Sequence, residues 1–571
     1  MILQPLLDLV ALCAERGIRH VVISPGSRSA ALTLAFARHS SIQTKVIPDE
    51  RSAGYVALGM AQQLQEPVAV VCTSGTAASN LVPAVTEAFF LGIPLLVLTA
   101  DRPPEWIGQQ DGQMIYQRDV FGKHVKKAFE LPADYTHPDA LWSIERQVNE
   151  AINLAGTAVP GPVHINVPIR EPFYPTETEV YRFGRPRQMI RVGAEPVLTP
   201  ETWAEIAETL ERHAGRILIA AGQLQGYSSE LTGILEQLRA EFGIPIVGDI
   251  ISNIHQTGTF VSHQDYFLPL AGDELQPDLL ITFGDSFISK NIKLYFRKHK
   301  PFLHWHLSLR PELIDPFQTL THQFPVQPEY FFRNMLETLD MRAYKDGDEE
   351  PDSDLLARWE AADMQARKTI FQAVSAFDSF GELAAVAEVL DTLPEPAQLH
   401  LANSLSVRYA NFLGLRGRQV TVLSNRGTSG IDGCLSTAVG AALVSDEPVY
   451  LLIGDVAFFY DRNALWHPQL PANLRIVLLN NSGGSIFRMI DGPARQPELG
   501  QYFETRHHTS AERVCADAGI DYFPAGDEAA LRKGLSELKK EGDKPKLLEI
   551  STDPERNQKY FAEFKAAGKR S

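Results

Sequence analysis

An apolar run of buried-strand character, "VYLLIGD", ends on Asp455, and a second, "RIVLLNN", ends on Asn480 and Asn481. Asn481 follows Asp455 by 26 positions, from 455 to 481, which fits one βαβ unit. Neighbouring parallel strands would then present a carboxylate and an amide oxygen side by side, hard ligands suited to a magnesium ion that holds a diphosphate. The continuation "NNSGGSIF" adds Gly483 and Gly484, which let backbone approach a ligand closely. Gly-Asp alone is a common turn and Asn-Asn a common Asx-capped loop. Their joint signal is that each closes an apolar run, one unit apart.

A second set of residues has the chemistry of anion binding. In "VVISPGSRSAALTLAFA", from Val21, a β-branched strand runs through a Ser-Pro-Gly-Ser-Arg turn into a helix, so Ser27, Arg28 and the helix amides could receive a carboxylate. Arg102 in "TADRPPE", Arg408 in "NSLSVRYA" and Arg426 in "SNRGTSG" occupy corresponding strand-end or helix-start loops. Any one of them alone reads as a surface arginine. Four converging in an acidic protein imply substrates with several carboxylates, because a buried guanidinium without an anion is costly. Glu50, in "KVIPDERSAGYVALGMA", sits after a short strand and before an amphipathic helix. As an isolated residue it reads as a helix N-terminal acid favoured by the dipole.

These residues need α/β sheets behind them, and the chain supplies three blocks of Val/Ile/Leu-rich runs alternating with amphipathic stretches. The first holds "RHVVIS", "PVAVVCT", "PLLVLTAD" and "GPVHINVP"; the second "RILIAAG", "IPIVGD", "DLLITFGD" and "PFLHWHLS". The third holds "QLHLANS", "VTVLSNRG", "PVYLLIGD", "RIVLLNN" and "PKLLEIS". Ligands of open parallel sheets bind beyond the carboxyl ends of the strands, where the residues above fall. "EPFYPTETEVYRFGRPR", from Glu171, reads as an extended linker, and "YKDGDEEPDSD", Tyr344 to Asp354, as a solvated acidic connection.

Composition agrees with a chain of several cores: 571 residues, 44% hydrophobic and 22% charged. A net charge of −17 without a basic run argues against a nucleic-acid or anionic-lipid partner. Cys13, Cys72, Cys434 and Cys515 are scattered singly, as for reduced thiols in a cytoplasmic protein, and give no zinc spacing. The N-terminal stretch carries Asp8 and Glu15 and no basic n-region, so export is not indicated. The run Ala88 to Ala100 is broken by Gly92 and Pro94 and falls short of the ~18 residues of a membrane span, which argues against insertion.

Gly454-Asp455 followed by Asn480-Asn481 resembles the thiamine diphosphate motif, conventionally Gly-Asp-Gly and, about 25 residues on, Asn-Asn. With "ISPGSRS", "DERSAGY", "TSGTAASN", "TADRPPE", "SNRGTSGIDG" and "NNSGGSIF", the chain resembles the MenD family, the 2-succinyl-5-enolpyruvyl-6-hydroxy-3-cyclohexene-1-carboxylate synthases of menaquinone biosynthesis. That family usually has an apolar residue after Gly-Asp, as Val456 is here. The resemblance covers the first and third blocks and implies a pyruvate oxidase-like α/β fold of three domains, each a mainly parallel sheet flanked by helices. It divides the chain into an aminopyrimidine-binding domain (1–180), a central α/β domain (190–343) and a diphosphate- and metal-binding domain (355–571).

The resemblance further implies a transferase that decarboxylates 2-oxoglutarate on thiamine diphosphate and adds the succinyl carbanion equivalent to isochorismate in a Stetter-like conjugate addition. Glu50 would activate the cofactor by protonating its aminopyrimidine; Asp455, Asn481 and the Gly483 carbonyl would ligate Mg²⁺ or Mn²⁺. Gly454, Ile431 and Ile486 would contact the cofactor, Ile431 as a wedge that bends it. Ser27, Arg28, Arg102, Gln113, Lys290, Ser404, Arg408 and Arg426 would bind substrate beside an apolar wall of Ile486 and Phe487. Some family members carry Ser-Lys-Arg where "FISKNIK" has Lys290 followed by Asn291, so that contact is half retained. Active sites at the subunit interface of a homodimer, or of a dimer of dimers, are also implied. Two alternatives remain at this stage: another thiamine diphosphate-dependent 2-oxoacid decarboxylase or acetolactate synthase, which leaves the arginines unexplained, and a catalytically silent structural or regulatory paralogue.

Overall fold

The computed structural model describes residues 3–171, 174–346 and 354–568. Three all-parallel sheets follow one another along the chain. The first contains β1 (His20–Ile23), β2 (Gln43–Val46), β3 (Val68–Cys72), β4 (Leu95–Asp101), β5 (Ala128–Glu130) and β6 (Val163–Pro168), in the order β2-β1-β3-β4-β6-β5. The second contains β7 (Ile217–Ala221), β8 (Ile246–Gly248), β9 (Leu279–Phe283), β10 (Leu303–Leu307) and β11 (His322–Phe324), ordered β11-β10-β9-β7-β8. The third contains β12 (Ala397–Leu401), β13 (Val420–Leu423), β14 (Val449–Gly454), β15 (Leu474–Asn480), β16 (Asp521–Ala525) and β17 (Lys546–Ser551), ordered β13-β12-β14-β15-β17-β16.

The central strands are buried on both faces, which is why they read as continuous apolar runs rather than as an alternation. In the third sheet Gly454 pairs with Leu479, so Asp455, which follows β14, and Asn480, the last residue of β15, stand at the same level. Strand alternation then turns Asn480 and Asn481 to opposite sides.

First and third domains share a core through two helices, Glu50–Leu64 and Cys434–Ala442. A Cβ at Gly59 would lie 2.0 Å from the Thr437 carbonyl oxygen, and one at Gly440 2.1 Å from that of Val56. Only glycine permits so close a crossing.

The linker read after Glu171 forms no helix or strand over its described part. It is laid along the first domain: Asn149 Nδ2 donates to the Arg187 carbonyl (3.0 Å), and Met189 N donates to Asn149 Oδ1 (2.8 Å). Residues 347–353 of the acidic connection lie outside the described residues. Among the described residues no helix is long and apolar enough to cross a membrane.

Candidate active site

The carboxyl ends of the third sheet surround a cavity of about 320 Å³ lined by Ser404, Arg408, Arg426, Ile431, Gly454, Asp455, Asn481, Gly483, Ile486 and Phe487, among others. Asp455 is 2% exposed. Its Oδ1 accepts from Val456 N (2.7 Å) and its Oδ2 from Gly483 N (2.9 Å), with His507 Nε2 3.4 Å from Oδ2. Burial pushes its pKa up, against these amides and the imidazole. A buried carboxylate with no lysine or arginine against it is suited to a divalent cation.

Asn481 donates from Nδ2 to Glu382 Oε1 (2.9 Å), and its Oδ1 accepts the Ser485 hydroxyl (2.7 Å). Asn480 turns away, donating to Glu549 Oε1 (2.6 Å) and the Thr509 carbonyl (2.9 Å). Gly483 has φ +151°, and a Cβ there would lie 2.6 Å from the Glu504 carbonyl oxygen. At Gly454 a Cβ would meet nothing within 4 Å, so this backbone faces open space. Among the described residues no group of three His, Cys, Asp or Glu side chains could hold a metal ion. The donors here are instead one carboxylate, an amide oxygen and a carbonyl, which leaves coordination positions for a diphosphate. The residues present therefore fit a metal–diphosphate group.

Two guanidiniums lie on the same cavity. Arg408 Nη1 donates to the Ser404 carbonyl (2.6 Å), and Ser404 holds φ +78°, a strained value for a residue with a Cβ. Arg426 Nη1 donates to Asn403 Oδ1 (2.9 Å), while its buried Nε has no partner among the described residues. Burial lowers the pKa of both, and mutual repulsion adds to this at Arg426. Among the described residues neither lies within 4.0 Å of a carboxylate.

The first-domain residues form a second group, outside that cavity. Glu50 is the first residue of its helix, whose N-cap Asp49 accepts from Arg51 N and Ser52 N, and Glu50 Oε2 accepts from Asn80 Nδ2 (3.3 Å). Arg28 is 9% exposed, donates to the Ile169 carbonyl (3.1 Å) and lies 3.5 Å from Glu171. Burial and repulsion from Arg102 lower its pKa. Arg102 pairs with Asp111 (2.5 Å) and donates to Ser74 Oγ (3.2 Å) and to the carbonyl of Gln113 (3.4 Å). Ser27 and Gln113 are exposed, as is Lys290 on the central domain. One chain thus brings Arg28 near Arg102 and Arg408 near Arg426, but not all four around one cavity.

Three site residues escaped the sequence reading. Glu382, fully buried, bonds Asn481 and Tyr409, and burial pushes its pKa up to about 7. It reads as an ordinary helix-start acid in "GELAAVAEVL". Glu87, equally buried, accepts from Gly427 N (2.8 Å) and Thr428 N (2.7 Å) and from the Thr428 hydroxyl, clamping the Arg426 loop. An acid inside the apolar run "AVTEAFFLGI" was its readable signal. His507 carried none.

Comparison with known proteins agrees with this geometry. Residues 8–122 match the family described as "Thiamine pyrophosphate enzyme, N-terminal TPP binding domain", and residues 196–401 match "Middle domain of thiamine pyrophosphate". Similar proteins include 2-succinyl-5-enolpyruvyl-6-hydroxy-3-cyclohexene-1-carboxylate synthases from three bacteria. That of Cytophaga hutchinsonii is 41% identical, covering 99% of this chain and 98% of the relative. Those of Desulfotalea psychrophila (38%; 96% and 98%) and Flavobacterium johnsoniae (36%; 98% and 98%) match over similar lengths. The cavity, its oxygen donors and these full-length matches lead to one assignment: the chain belongs to the 2-succinyl-5-enolpyruvyl-6-hydroxy-3-cyclohexene-1-carboxylate synthase family of thiamine diphosphate enzymes.

Proposed function

We propose that the protein decarboxylates 2-oxoglutarate and adds the remaining four-carbon unit to isochorismate by conjugate addition, giving 2-succinyl-5-enolpyruvyl-6-hydroxy-3-cyclohexene-1-carboxylate and CO₂ for menaquinone biosynthesis in the cytoplasm. The observation that carries this reading is the third-domain cavity, with buried oxygen donors around Asp455 and two guanidiniums without carboxylate partners on the same wall. Thiamine diphosphate, when bound, supplies the electron sink for decarboxylation.

Asp455, Asn481 and the Gly483 carbonyl hold Mg²⁺ or Mn²⁺, with Glu382 and Ser485 orienting the asparagine. Gly454 and Ile431, which line the cavity, would contact the cofactor when it is bound, and Ile486 and Phe487 would keep water from the reacting end. Arg408, Arg426 and Ser404 receive the donor's carboxylates; Arg28, Arg102, Ser27 and Gln113 receive the acceptor's, with Lys290 at the rim. Glu50 holds a proton at the aminopyrimidine. Because Glu50 lies outside its own chain's cavity, the complete site is assembled from two copies, the first domain of one facing the third domain of the other. Exposed Trp106 and Tyr116 near the first group, Ile490 on the cavity wall and Tyr502 supply apolar area for such an interface.

Incubation with 2-oxoglutarate, isochorismate, thiamine diphosphate and Mg²⁺ should consume isochorismate and yield the mass of the adduct. Consumption of pyruvate in place of 2-oxoglutarate would favour the acetolactate synthase reading. Mixed Glu50→Gln and Asp455→Ala protein should regain part of the activity once subunits exchange. Exchange without recovery would place each site within one chain.

A further inference from the structure

The central domain meets the Arg426 loop through one turn, residues 286–289, which leads into the helix Lys290–Lys298. Ser286 Oγ donates to the Arg426 carbonyl (3.3 Å). The amides of Ile288 (2.5 Å) and Ser289 (3.0 Å) donate to Oδ2 of the buried Asp249. Oδ1 of Asp249 accepts from Asn411 (3.3 Å), on the helix Leu405–Leu413 that carries Arg408. The turn is thus pinned both to the Arg426 loop and to the Arg408 helix.

Three polar residues follow on this helix, and they are used differently. Lys290 is exposed. Asn291, at the position where some relatives carry arginine, donates from Nδ2 to the Asp265 carbonyl (2.8 Å) and from its backbone to Asp265 Oδ1 (3.4 Å), which ties it to its own domain. Lys293 lies about one turn beyond Lys290. It is half-buried, and Nζ donates to the Phe287 carbonyl (3.0 Å), the residue next to the one that touches Arg426. Among the described residues it has no carboxylate within 4.0 Å.

We propose that Lys293 is a substrate-binding cation, which joins Arg408 and Arg426 in receiving the carboxylate of the 2-oxoacid donor farthest from its reacting carbon. This rests on the donor being a dicarboxylate, as proposed above. An ammonium has three donors, and only one is used here, on a neutral carbonyl. That charge is held half out of water under repulsion from the half-buried Arg426 guanidinium, a cost that an anion shared by the two would offset. Consistent with this, burial lowers the pKa of Lys293, and repulsion from Arg426 adds to the effect against the attraction of Asp249. Asp249 already accepts four N–H donors, and Asp265, the other acid nearby, accepts the Ser289 hydroxyl (2.6 Å). Both acids therefore act on Lys293 only through space, and neither makes an ion pair with it among the described residues.

The test is Lys293→Met, with Lys293→Arg and Lys293→Gln beside it, assayed as holoenzyme. Lys293→Met should raise KM for 2-oxoglutarate roughly ten- to a hundredfold, as loss of a charged hydrogen bond would. KM for isochorismate and the affinity for thiamine diphosphate should stay within about twofold, and Lys293→Arg should recover most of the loss. Equal changes in both KM values would make Lys293 merely structural and overturn the assignment, as would an effect on isochorismate alone or none. Lys293→Gln decides the matter if the methionine variant unfolds. Wild-type protein that consumes no 2-oxoglutarate would overturn the underlying reading, and the proposal with it.

Discussion

Asp455 is 2% exposed with both oxygens engaged by backbone amides, whereas Glu50 is half-buried and, among the described residues, its carboxylate accepts one bond, from Asn80, 3.3 Å long. The same contrast holds between the arginines. Arg408 and Arg426 line a cavity and lack carboxylate partners, while Arg102 is matched by Asp111 and Arg28 by Glu171, both on exposed side chains that can swing aside. The third-domain half lines a cavity; the first-domain half lies outside it. Among the described residues the two pocket guanidiniums have no carboxylate within 4.0 Å, whereas the two first-domain ones each do.

This difference predicts distinct failures on the two sides. Glu50→Gln should bind cofactor almost normally but slow exchange of the thiazolium C2 proton and turnover by roughly 10²–10⁴, the usual worth of a positioned proton-transfer group. Exchange at the wild-type rate would remove Glu50 from that role. Asp455→Ala should act on the other side, weakening thiamine diphosphate and metal together by more than the roughly 10–100-fold that a residue behind a ligand costs. Cofactor titration monitored by circular dichroism separates the two variants, and unchanged affinity in Asp455→Ala would rule out the proposed metal position.

How much of this was legible beforehand depended on burial. Every strand core read from an apolar run is present, because strands covered on both faces carry an unbroken signal. The unread β5, β11 and β16 are all at sheet edges, and β5 and β11 have three residues each; half-covered and short, they leave little pattern. The Asn-Asn pair was readable as a strand end, but its division of labour was not. Asn480 satisfies Glu549 and Asn481 faces the cavity only because β15 and its neighbours set the register. Glu382 was invisible, and Glu87 legible only as an acid in an apolar run, for a related reason: their partners Asn481 and Gly427 lie 99 and 340 positions away in sequence, and no local spacing encodes such a contact.

Glu87 sharpens the comparison, because it belongs to the first domain yet supports the third-domain pocket of its own chain. Glu87→Gln sets an amide against donors that now meet a carboxylate, a loss of about 1.5–3 kcal/mol for bonds to a charged group. The Arg426 loop should loosen, raising KM for 2-oxoglutarate several-fold while cofactor affinity, governed from Asp455, holds. If cofactor affinity falls as far as substrate affinity, the clamp supports the whole pocket rather than the loop.

The last expected effect, the smallest on turnover because it bears on stability alone, concerns the seam that joins the two halves within a chain. The helix Asp455–Tyr460 begins at the proposed metal ligand and ends where the Tyr460 carbonyl accepts from Arg51 Nη2 (3.1 Å), next to Glu50. Asp461 lies 3.6 Å from the same guanidinium and accepts from Ser436 N (2.7 Å) and Oγ (2.8 Å) with no exposure to solvent. Burial outweighs Arg51 and these bonds, pushing the Asp461 pKa from its ordinary 3.8 up to about 7. Between these values the folded chain holds a proton that the unfolded chain has lost, so this contribution to stability falls as pH rises through the window and levels off above it. Asp461→Asn removes the titration while an amide can still serve both Ser436 groups, and Arg51 keeps the Tyr460 carbonyl. Cofactor-free wild type should therefore lose on the order of 4 kcal/mol relative to the variant between about pH 4 and 7. Asp249, pushed up to about 6, and Glu382, up to about 7, bend both curves in the same direction, so the difference between the curves isolates Asp461. Urea midpoints that run parallel across this range would mean that Arg51 keeps Asp461 ionised, and that the seam is held by an ion pair rather than by a neutral acid.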